Sequence, residues 1–390
     1  MVSKYVPSKI SSITLPSFSR LSELTRGRTD LISLATGEPN FDTPEHIREA
    51  AKKGLDQGYT KYESSYGSSD LRKAIASKMK LEVKVDADPE REIVIANGGN
   101  MAVYLTFLAT LEQGEEVLIP DPTWPIYHTC IKLAGGVPVP YTLSGKEKFI
   151  LDFDSLNGHI TKRTKMIVLN SPGNPTGFVA DTKTLESIVA LAIENDILIM
   201  SDEVYEKMLY DGIKHVSIAS LPEMRERTVI INSFSKTYAM TGWRVGYAVA
   251  PPEIAAEIAK MNFYTNACPG AIAQRGALAA LEGPQDCVRE MVKEYARRRE
   301  VLVKGLSEIE GISCLKPEGA FYAFPNIASL GKSSSEIVEY LVTKAGVITA
   351  SGSDCGKNGE GHIRLAYTIP VDKIEEGIRR IDTAIKLLRY

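Results

Sequence analysis

The sequence predicts an α/β protein, in which a large domain with a mostly parallel sheet flanked by helices precedes a smaller α+β domain. Short continuous apolar runs, separated by helical stretches, are typical of strands that are buried on both faces. The chain has 390 residues, which is long for a single core. Its composition changes near residue 285, where a charged helix begins. We therefore predict three segments: an N-terminal arm with part of the small domain (1–40), the large domain (41–285) and the small domain (286–390).

The strands of the large sheet are predicted from the apolar runs in chain order. They are 93–96, 116–119, 166–169, 197–200, 229–231 and 245–249. Segments rich in polar residues, glycine and proline follow five of them: 97–100, 121–124, 170–177, 202–205 and 232–236. Because the C-terminal ends of parallel strands meet at one edge of a sheet, we expect these segments to gather there and to bind a ligand.

The small domain is predicted from a second set of patterns after residue 285. They are a charged helix at 289–308, an aromatic run at 320–324, a helix near 335–345, and strands at 347–349 and 363–366. A last helix has apolar residues at helical spacing, which predicts that one face packs on the core. These residues are Ile374, Ile378, Ile381, Ile385 and Leu388.

The composition argues against several classes of protein. With 46 basic and 49 acidic residues the net charge is -3, which gives no electrostatic case for binding nucleic acid or an anionic membrane. No stretch approaches the length of a membrane span, and the N-terminus lacks the apolar region of a signal peptide. The five cysteines are scattered and odd in number, so we expect no disulfide framework, no metal site and a reducing, cytoplasmic compartment.

The most informative segment contains Ser233, Ser235 and Lys236, with Arg244 eight residues later. A lysine can form an imine with an aldehyde, while hydroxyl groups and an arginine can hold a phosphate. That combination suits pyridoxal phosphate, which is bound covalently through a lysine. A lone lysine is far more often a solvated surface residue, so the interpretation depends on the rest of the chain.

Two further segments at the predicted sheet edge fit the same ligand. Gly98, Gly99 and Asn100 lie between a strand and a helix, where unpaired amides favour an anion, although an isolated pair of glycines also makes a plain turn. The glycine spacings of dinucleotide sites and P-loops are absent, which favours a single phosphate. Asp202 follows an apolar run as either a helix cap or an acid that keeps a pyridine nitrogen protonated.

Three other side chains have a structural and a functional interpretation. Trp124 could stack on an aromatic cofactor or pack in the core. Asn174 lies in a dense turn whose prolines and glycines would present its amide at a defined place. Arg364, between apolar neighbours, could bind a substrate carboxylate in a bidentate manner or form a structural salt bridge.

Taken together, these motifs resemble the class I aminotransferases, which are pyridoxal phosphate enzymes of the aspartate aminotransferase superfamily with the type I fold. The resemblance covers nearly the whole chain and implies a seven-stranded main sheet. The motifs occur in family order: Gly37-Glu38-Pro39, Gly98-Gly99-Asn100, Trp124, Asn174-Pro175-Thr176-Gly177, Asp202-Glu203-Val204-Tyr205, Ser233-x-Ser235-Lys236, Gly242-Trp243-Arg244-x-Gly246-Tyr247 and Arg364.

The resemblance implies a role for each matched residue. Lys236 would form the imine and carry the proton, and Asp202 would pair with the pyridine nitrogen. Asn174 and Tyr205 would hydrogen-bond the phenolate oxygen, Trp124 would stack on the ring, and Arg364 would bind the substrate α-carboxylate near Gly37. The implied phosphate site comprises Gly98, Gly99, Asn100, Ser233, Ser235 and Arg244.

The resemblance also implies a homodimer with shared active sites. Tyr62 matches a tyrosine that reaches the phosphate of the neighbouring subunit in this family. The family often carries cis prolines at the positions of Pro122 and Pro175.

The amino donor and two rival activities stay open. Aspartate, aromatic amino acids and alanine are all candidate donors, with 2-oxoglutarate as the acceptor. Bacterial aspartate-type relatives have a lysine at the position of Asn100, and Tyr127, Phe263 and Tyr264 could line an apolar pocket or belong to the core. A lyase on the same scaffold would share every cofactor residue, whereas a non-catalytic regulator would need a DNA-binding domain that the sequence does not indicate.

Overall fold

The computed structural model describes residues 5–11, 13, 22–144 and 149–388. Within them the main sheet has eight strands in the order β2-β9-β8-β7-β6-β3-β4-β5. The strands are β1 Ile32–Ser33, β2 Ile93–Ala96, β3 Glu116–Asp121, β4 Val137–Ser144, β5 Ile150–Leu151, β6 Thr164–Asn170, β7 Leu198–Asp202, β8 Thr228–Ser233, β9 Gly246–Val249, β10 Tyr322–Ala323, β11 Val347–Ile348, β12 Ala350–Ser351 and β13 Ile363–Ala366.

The main sheet is mostly parallel, as the sequence predicts. Neighbouring strands from β8 through β4 pair in parallel, while β9 lies antiparallel between β8 and β2. These are the seven strands that the resemblance implies, and β5 adds a two-residue antiparallel edge beside β4. The apolar runs did not reveal β4, because Pro138 and Pro140 interrupt it and only Tyr141 and Leu143 are buried.

The described residues form fourteen α-helices, of which some cover the two faces of this sheet and others belong to the C-terminal part. They are α1 Ser8–Ser11, α2 Ser22–Thr25, α3 Glu45–Asp56, α4 Ser69–Lys78, α5 Gly99–Thr110, α6 Ile126–Leu133, α7 Phe153–Gly158, α8 Thr182–Glu194, α9 Phe234–Thr237, α10 Pro252–Asn266, α11 Ala271–Glu282, α12 Asp286–Ser307, α13 Ser334–Tyr340 and α14 Val371–Leu388. Within the described ranges, no helix is both long enough and apolar enough to cross a bilayer.

The alternation of side chains in β2 shows how the two faces are buried. Val94 packs with residues of α5 and α10, whereas Ile93 and Ile95 point to the opposite face and pack with α4 and α11. Neither face of the strand therefore needs polar residues, which explains why it reads as a continuous apolar run.

The C-terminal part has its own small sheet and core. Strands β10, β13 and β12 form an antiparallel sheet, and α12 packs against α14. Strand β1 pairs in parallel with β11, so residues near the N-terminus join this part of the structure. The division into 1–40, 41–285 and 286–390 stays a prediction, and the pairing of β1 with β11 supports it.

Candidate active site

The C-terminal edge of the main sheet opens into a cleft of about 200 Å³. Most of the residues that the sequence analysis selects line it together, although they are spread over more than 300 positions. They are Gly37, Gly99, Asn100, Trp124, Asn174, Asp202, Tyr205, Ser233, Ser235, Lys236, Arg244 and Arg364. Gly98 adjoins the cleft through Arg244, and Tyr62 does not line it.

Lys236 lies on α9, the short helix that begins directly after β8. Its Nζ donates a hydrogen bond to the Gly37 carbonyl oxygen at 2.6 Å. No carboxylate of the described residues forms a salt bridge with this lysine. Burial lowers the pKa of Lys236 to about 8, and the charges of Arg364 and Arg244 act in the same direction. Near neutral pH the ammonium form still predominates, but a larger fraction of this lysine than of an ordinary one is the nucleophilic neutral amine.

Asp202, the last residue of β7, is buried and faces the same cleft. Burial raises the pKa of Asp202 to about 6, although a hydrogen bond from Tyr127 opposes the rise. The Tyr127 hydroxyl donates to Asp202 Oδ2 at 2.5 Å, and the Val204 amide donates to Oδ1 at 3.3 Å. A carboxylate held in this way can stabilise a cationic ring nitrogen, because no lysine or arginine of the described residues forms a salt bridge with it and, among their positive charges, only that of Lys236 acts on it from nearby.

A phosphate-sized cradle lies beside Lys236. Gly98 has φ +89, a conformation that favours glycine, and a Cβ at this position would overlap the Arg244 guanidinium. Gly99 begins the twelve-residue helix α5, whose first amides are unpaired. Ser233 and Ser235 face each other with their hydroxyl oxygens 2.9 Å apart. Backbone amides, hydroxyl groups and a guanidinium therefore converge on one anion site.

Arg364 lies on β13 and enters the cleft from the small domain. Its Nη1 donates to Asn174 Oδ1 at 3.0 Å and its Nη2 to the Ala35 carbonyl oxygen at 2.9 Å. Its Nε is buried and has no hydrogen-bond partner among the described residues. Such an orphaned donor is costly unless a ligand pairs with it, which is the arrangement expected for a carboxylate-binding arginine.

Sequence reasoning missed several residues of the cleft. Tyr127, for which the sequence leaves a pocket and the core open, packs in the core with its hydroxyl group donating to Asp202 in the cleft. Asn170 ties the two neighbouring strand ends together, because its Oδ1 accepts from the Asn174 amide at 2.9 Å and its Nδ2 donates to the Asp202 carbonyl at 3.3 Å. Tyr322 lies 3.0 Å from Tyr205 through the two hydroxyl oxygens. No motif signals these contacts, because they join residues that are distant in the chain.

Two other expectations have different outcomes. Phe263 and Tyr264 belong neither to the cleft nor to the core, because they are 58% and 77% exposed, and their rings meet edge to face near the end of α10. The bonds before Pro122 and Pro175 are both cis, as the resemblance suggests, and the bond before Pro172 is cis as well. The roles of Asn174 and Tyr205 toward a phenolate oxygen stay predictions.

The fold and the residues of this cleft are those of the pyridoxal phosphate enzymes with the type I fold. More particularly, the family described as aminotransferase class I and II matches residues 29–381, so the chain belongs to that family. It is 44% identical to an aspartate aminotransferase of Pyrococcus abyssi, covering 94% of this chain and 95% of the relative. It is 42% identical to an aromatic-amino-acid aminotransferase of Thermococcus litoralis, with the same coverage.

A solved structure of similar fold is an alanine aminotransferase from Pyrococcus furiosus. It superimposes with a TM-score of 0.93 at 35% identity, covering 98% of this chain and all of that one. The protein is therefore an aminotransferase, and relatives of comparable similarity are named for three different amino donors.

Proposed function

We propose that this aminotransferase binds pyridoxal phosphate through Lys236 and moves an amino group between an L-amino acid and a 2-oxo acid in a ping-pong reaction. The observation that carries the proposal is one cleft that joins a buried lysine of lowered pKa, a buried carboxylate and an arginine with an unpaired Nε. Each of these groups is costly to bury without a ligand, and the cofactor together with its amino acid substrate would satisfy all three.

The residues of the cleft fit the parts of this cofactor. Gly98, Gly99, Asn100, Ser233, Ser235 and Arg244 would hold the phosphate, and Trp124 would cover one face of the ring. Pyridoxal phosphate, when bound, supplies an aldehyde and a ring that withdraws electrons from the α-carbon of the amino acid. Asp202 would keep the ring nitrogen protonated, with Tyr127 fixing the carboxylate through its hydroxyl group.

Lys236 has two tasks in this reaction. Its neutral amine would be the nucleophile that binds the cofactor, and once the substrate has displaced it the same Nζ would take the proton from the α-carbon and deliver it to the C4′ carbon of the cofactor. A pKa near 8 suits both tasks, because the amine and the ammonium forms are both populated near neutral pH.

Arg364 would orient the substrate. Its Nε would donate a hydrogen bond to the α-carboxylate, while Nη1 and Nη2 continue to donate to Asn174 Oδ1 and the Ala35 carbonyl oxygen. The fixed carboxylate places the α-carbon between Lys236 and the ring, which reduces the entropy cost of the reaction.

Replacing Lys236 tests the proposal. Lys236→Ala should abolish amino transfer, while the cofactor still binds noncovalently through its phosphate. The matched control is Lys260→Ala, because Lys260 is exposed and, within the described ranges, its one salt bridge is to Glu257 three residues away. Transfer is followed by the absorbance change of the cofactor with an amino donor, and undiminished transfer in Lys236→Ala would refute the assignment.

We also propose a homodimer in which Tyr62 completes the partner's phosphate site. Tyr62 is 88% exposed and does not line its own cleft. The amide of the next residue, Glu63, donates to Cys268 Sγ at 3.4 Å, so this segment lies near the C-terminal end of α10, which carries the exposed Phe263 and Tyr264. Light scattering measures the oligomeric state, and cofactor affinity is compared between the wild type and Tyr62→Phe. A monomeric wild type whose cofactor affinity equals that of the variant would contradict this proposal.

The donor is proposed more broadly, as aspartate, an aromatic amino acid or alanine, with 2-oxoglutarate as acceptor. Asn100 lines the cleft without a positive charge, so it gives a distal carboxylate no ion pair. A panel of amino donors with 2-oxoglutarate distinguishes the classes by their kcat/KM. We further propose a cytoplasmic location, which the five free cysteines support.

A further inference from the structure

A buried cluster of charges lies directly behind the cofactor-facing segment 202–206. Asp202 and Tyr205 face the cleft, whereas Glu203 and Glu206 point to the opposite side. There each carboxylate meets a cation: His215 Nε2 lies 2.8 Å from Glu203, and Lys78 Nζ lies 2.6 Å from Glu206. We call these four residues the anchor cluster.

Glu203 is the most completely held member of the anchor cluster. It is 1% exposed, and its Oε1 accepts from the Ser217 hydroxyl at 2.6 Å and from the Ser201 hydroxyl at 2.8 Å. Its other oxygen pairs with His215. Both oxygens are satisfied, so the strand end that carries Asp202 is fixed from behind as well as from Tyr127 in front.

The anchor cluster consists of ion pairs, and its geometry does not favour a metal. Glu203, Glu206 and His215 offer ligand atoms within 4.8 Å of one another, a spacing that would also suit a metal ion. The Lys78 ammonium group already neutralises Glu206, and the Glu203 oxygens are occupied by hydrogen bonds. A divalent ion would have to displace these partners and would repel the buried lysine.

We propose that Glu203 and Glu206, held by His215 and Lys78, are positioning residues that fix Asp202 and Tyr205 against the cofactor. The inference rests on the proposed binding of pyridoxal phosphate. Because Asp202 and Glu203 are adjacent in the chain, any movement of the anchored carboxylate displaces the group that faces the ring nitrogen.

The two halves of the anchor cluster differ in their response to pH. Burial alone would lower the pKa of His215, but the charge and hydrogen bond of Glu203 outweigh it and raise the pKa. Glu206 also raises the His215 pKa, whereas Lys78 lowers it. The pKa of Lys78 is raised because Glu206 outweighs burial, so this lysine keeps its positive charge across the working range.

The charge of Glu203 behind Asp202 predicts in which direction each variant should shift the pKa of Asp202. The negative charge of Glu203 contributes to the raised pKa of Asp202. Glu203→Gln removes that charge, so the pKa of Asp202 should fall. His215→Gln leaves the charge of Glu203 without its cation, so the pKa of Asp202 should rise. A role confined to folding would not move the two values in opposite directions.

The experiment measures two properties of the full-length protein: its dissociation constant for pyridoxal phosphate and the acid-side midpoint of the absorbance titration of the bound cofactor. Glu203→Gln and His215→Gln should each raise the dissociation constant by about tenfold, the lower end of the effect found when the support behind a ligand is removed. Their midpoints should shift in opposite directions.

The matched control is Glu92→Gln. Glu92 is a partly buried carboxylate that pairs with Arg225 at 2.7 Å, and it precedes β2 at the opposite edge of the sheet. Both of its values should equal those of the wild type. If Glu203→Gln or His215→Gln does not fold, Ser217→Ala is a milder variant that removes one hydrogen bond to Glu203. It should raise the dissociation constant by a smaller factor.

Unchanged dissociation constants and midpoints in the Glu203 and His215 variants would overturn the inference, and so would shifts in the same direction. If instead the wild type fails to bind pyridoxal phosphate, the proposed function itself is wrong. The two failures are therefore distinguishable.

Discussion

Removing the amine of Lys236 should stabilise the cofactor-free protein at neutral pH. Burial lowers the pKa of this lysine from 10.5 to about 8, so at pH 7 the folded protein holds an ammonium group in an unfavourable place. A shift of roughly 2.5 units corresponds to about 3 kcal/mol of lost stability. Lys236→Met also loses the hydrogen bond to the Gly37 carbonyl, worth about 1 kcal/mol. The expected net gain is about 2 kcal/mol.

The pH dependence of this gain has a definite sign. Between pH 8 and 10.5 the unfolded chain still holds the lysine proton, whereas the folded protein has released it. The unfolded state binds more protons in this window, so the stability of the wild type increases with pH. The advantage of Lys236→Met is therefore complete below pH 8 and disappears as the pH approaches 10.5.

Denaturant unfolding of the cofactor-free wild type and variant at pH 7 and pH 10, at one protein concentration, measures the effect. Lys52→Met is the control, because the Lys52 side chain is 68% exposed and its replacement should change stability by less than about 0.5 kcal/mol. A Lys236→Met variant that is less stable than the wild type by the same amount at both pH values would refute the argument.

Two further changes test other groups of the cleft. Arg364→Lys should raise the KM for the amino donor by about 100-fold, because a lysine cannot reproduce the contacts to Asn174, the Ala35 carbonyl and a carboxylate at once. Steady-state kinetics at saturating cofactor measures this KM, and an unchanged value would contradict the role of Arg364 in binding the substrate. Tyr127→Phe removes the hydrogen bond that opposes the rise in the Asp202 pKa, so this pKa should rise above about 6. The acid limb of the pH–rate profile should then move to higher pH. If the limb does not move, the ionisation of Asp202 does not determine it.

The sequence alone predicted much of the sheet and of the site, and the reason is local. The buried strands β2, β3, β6, β7 and β8 are covered on both faces, so each appears as a continuous apolar run. The site segments follow these runs directly, and the parallel sheet brings their ends to one edge. Strand β4 escaped because its position at the sheet margin leaves most of its residues partly exposed and tolerates two prolines.

What the sequence by itself determined is the set of chemical groups and their order: the lysine between serines, the glycine turn, the carboxylate at a strand end and the arginine in a late strand. Tertiary structure alone decided their partners and their charge states. The pairing of Tyr127 with Asp202, the orphaned Nε of Arg364 and the anchoring of Glu203 by His215 join positions that no local pattern connects. Burial, which lowers the pKa of Lys236 and raises that of Asp202, is a property of the assembled cleft, because it depends on which atoms exclude water from each group.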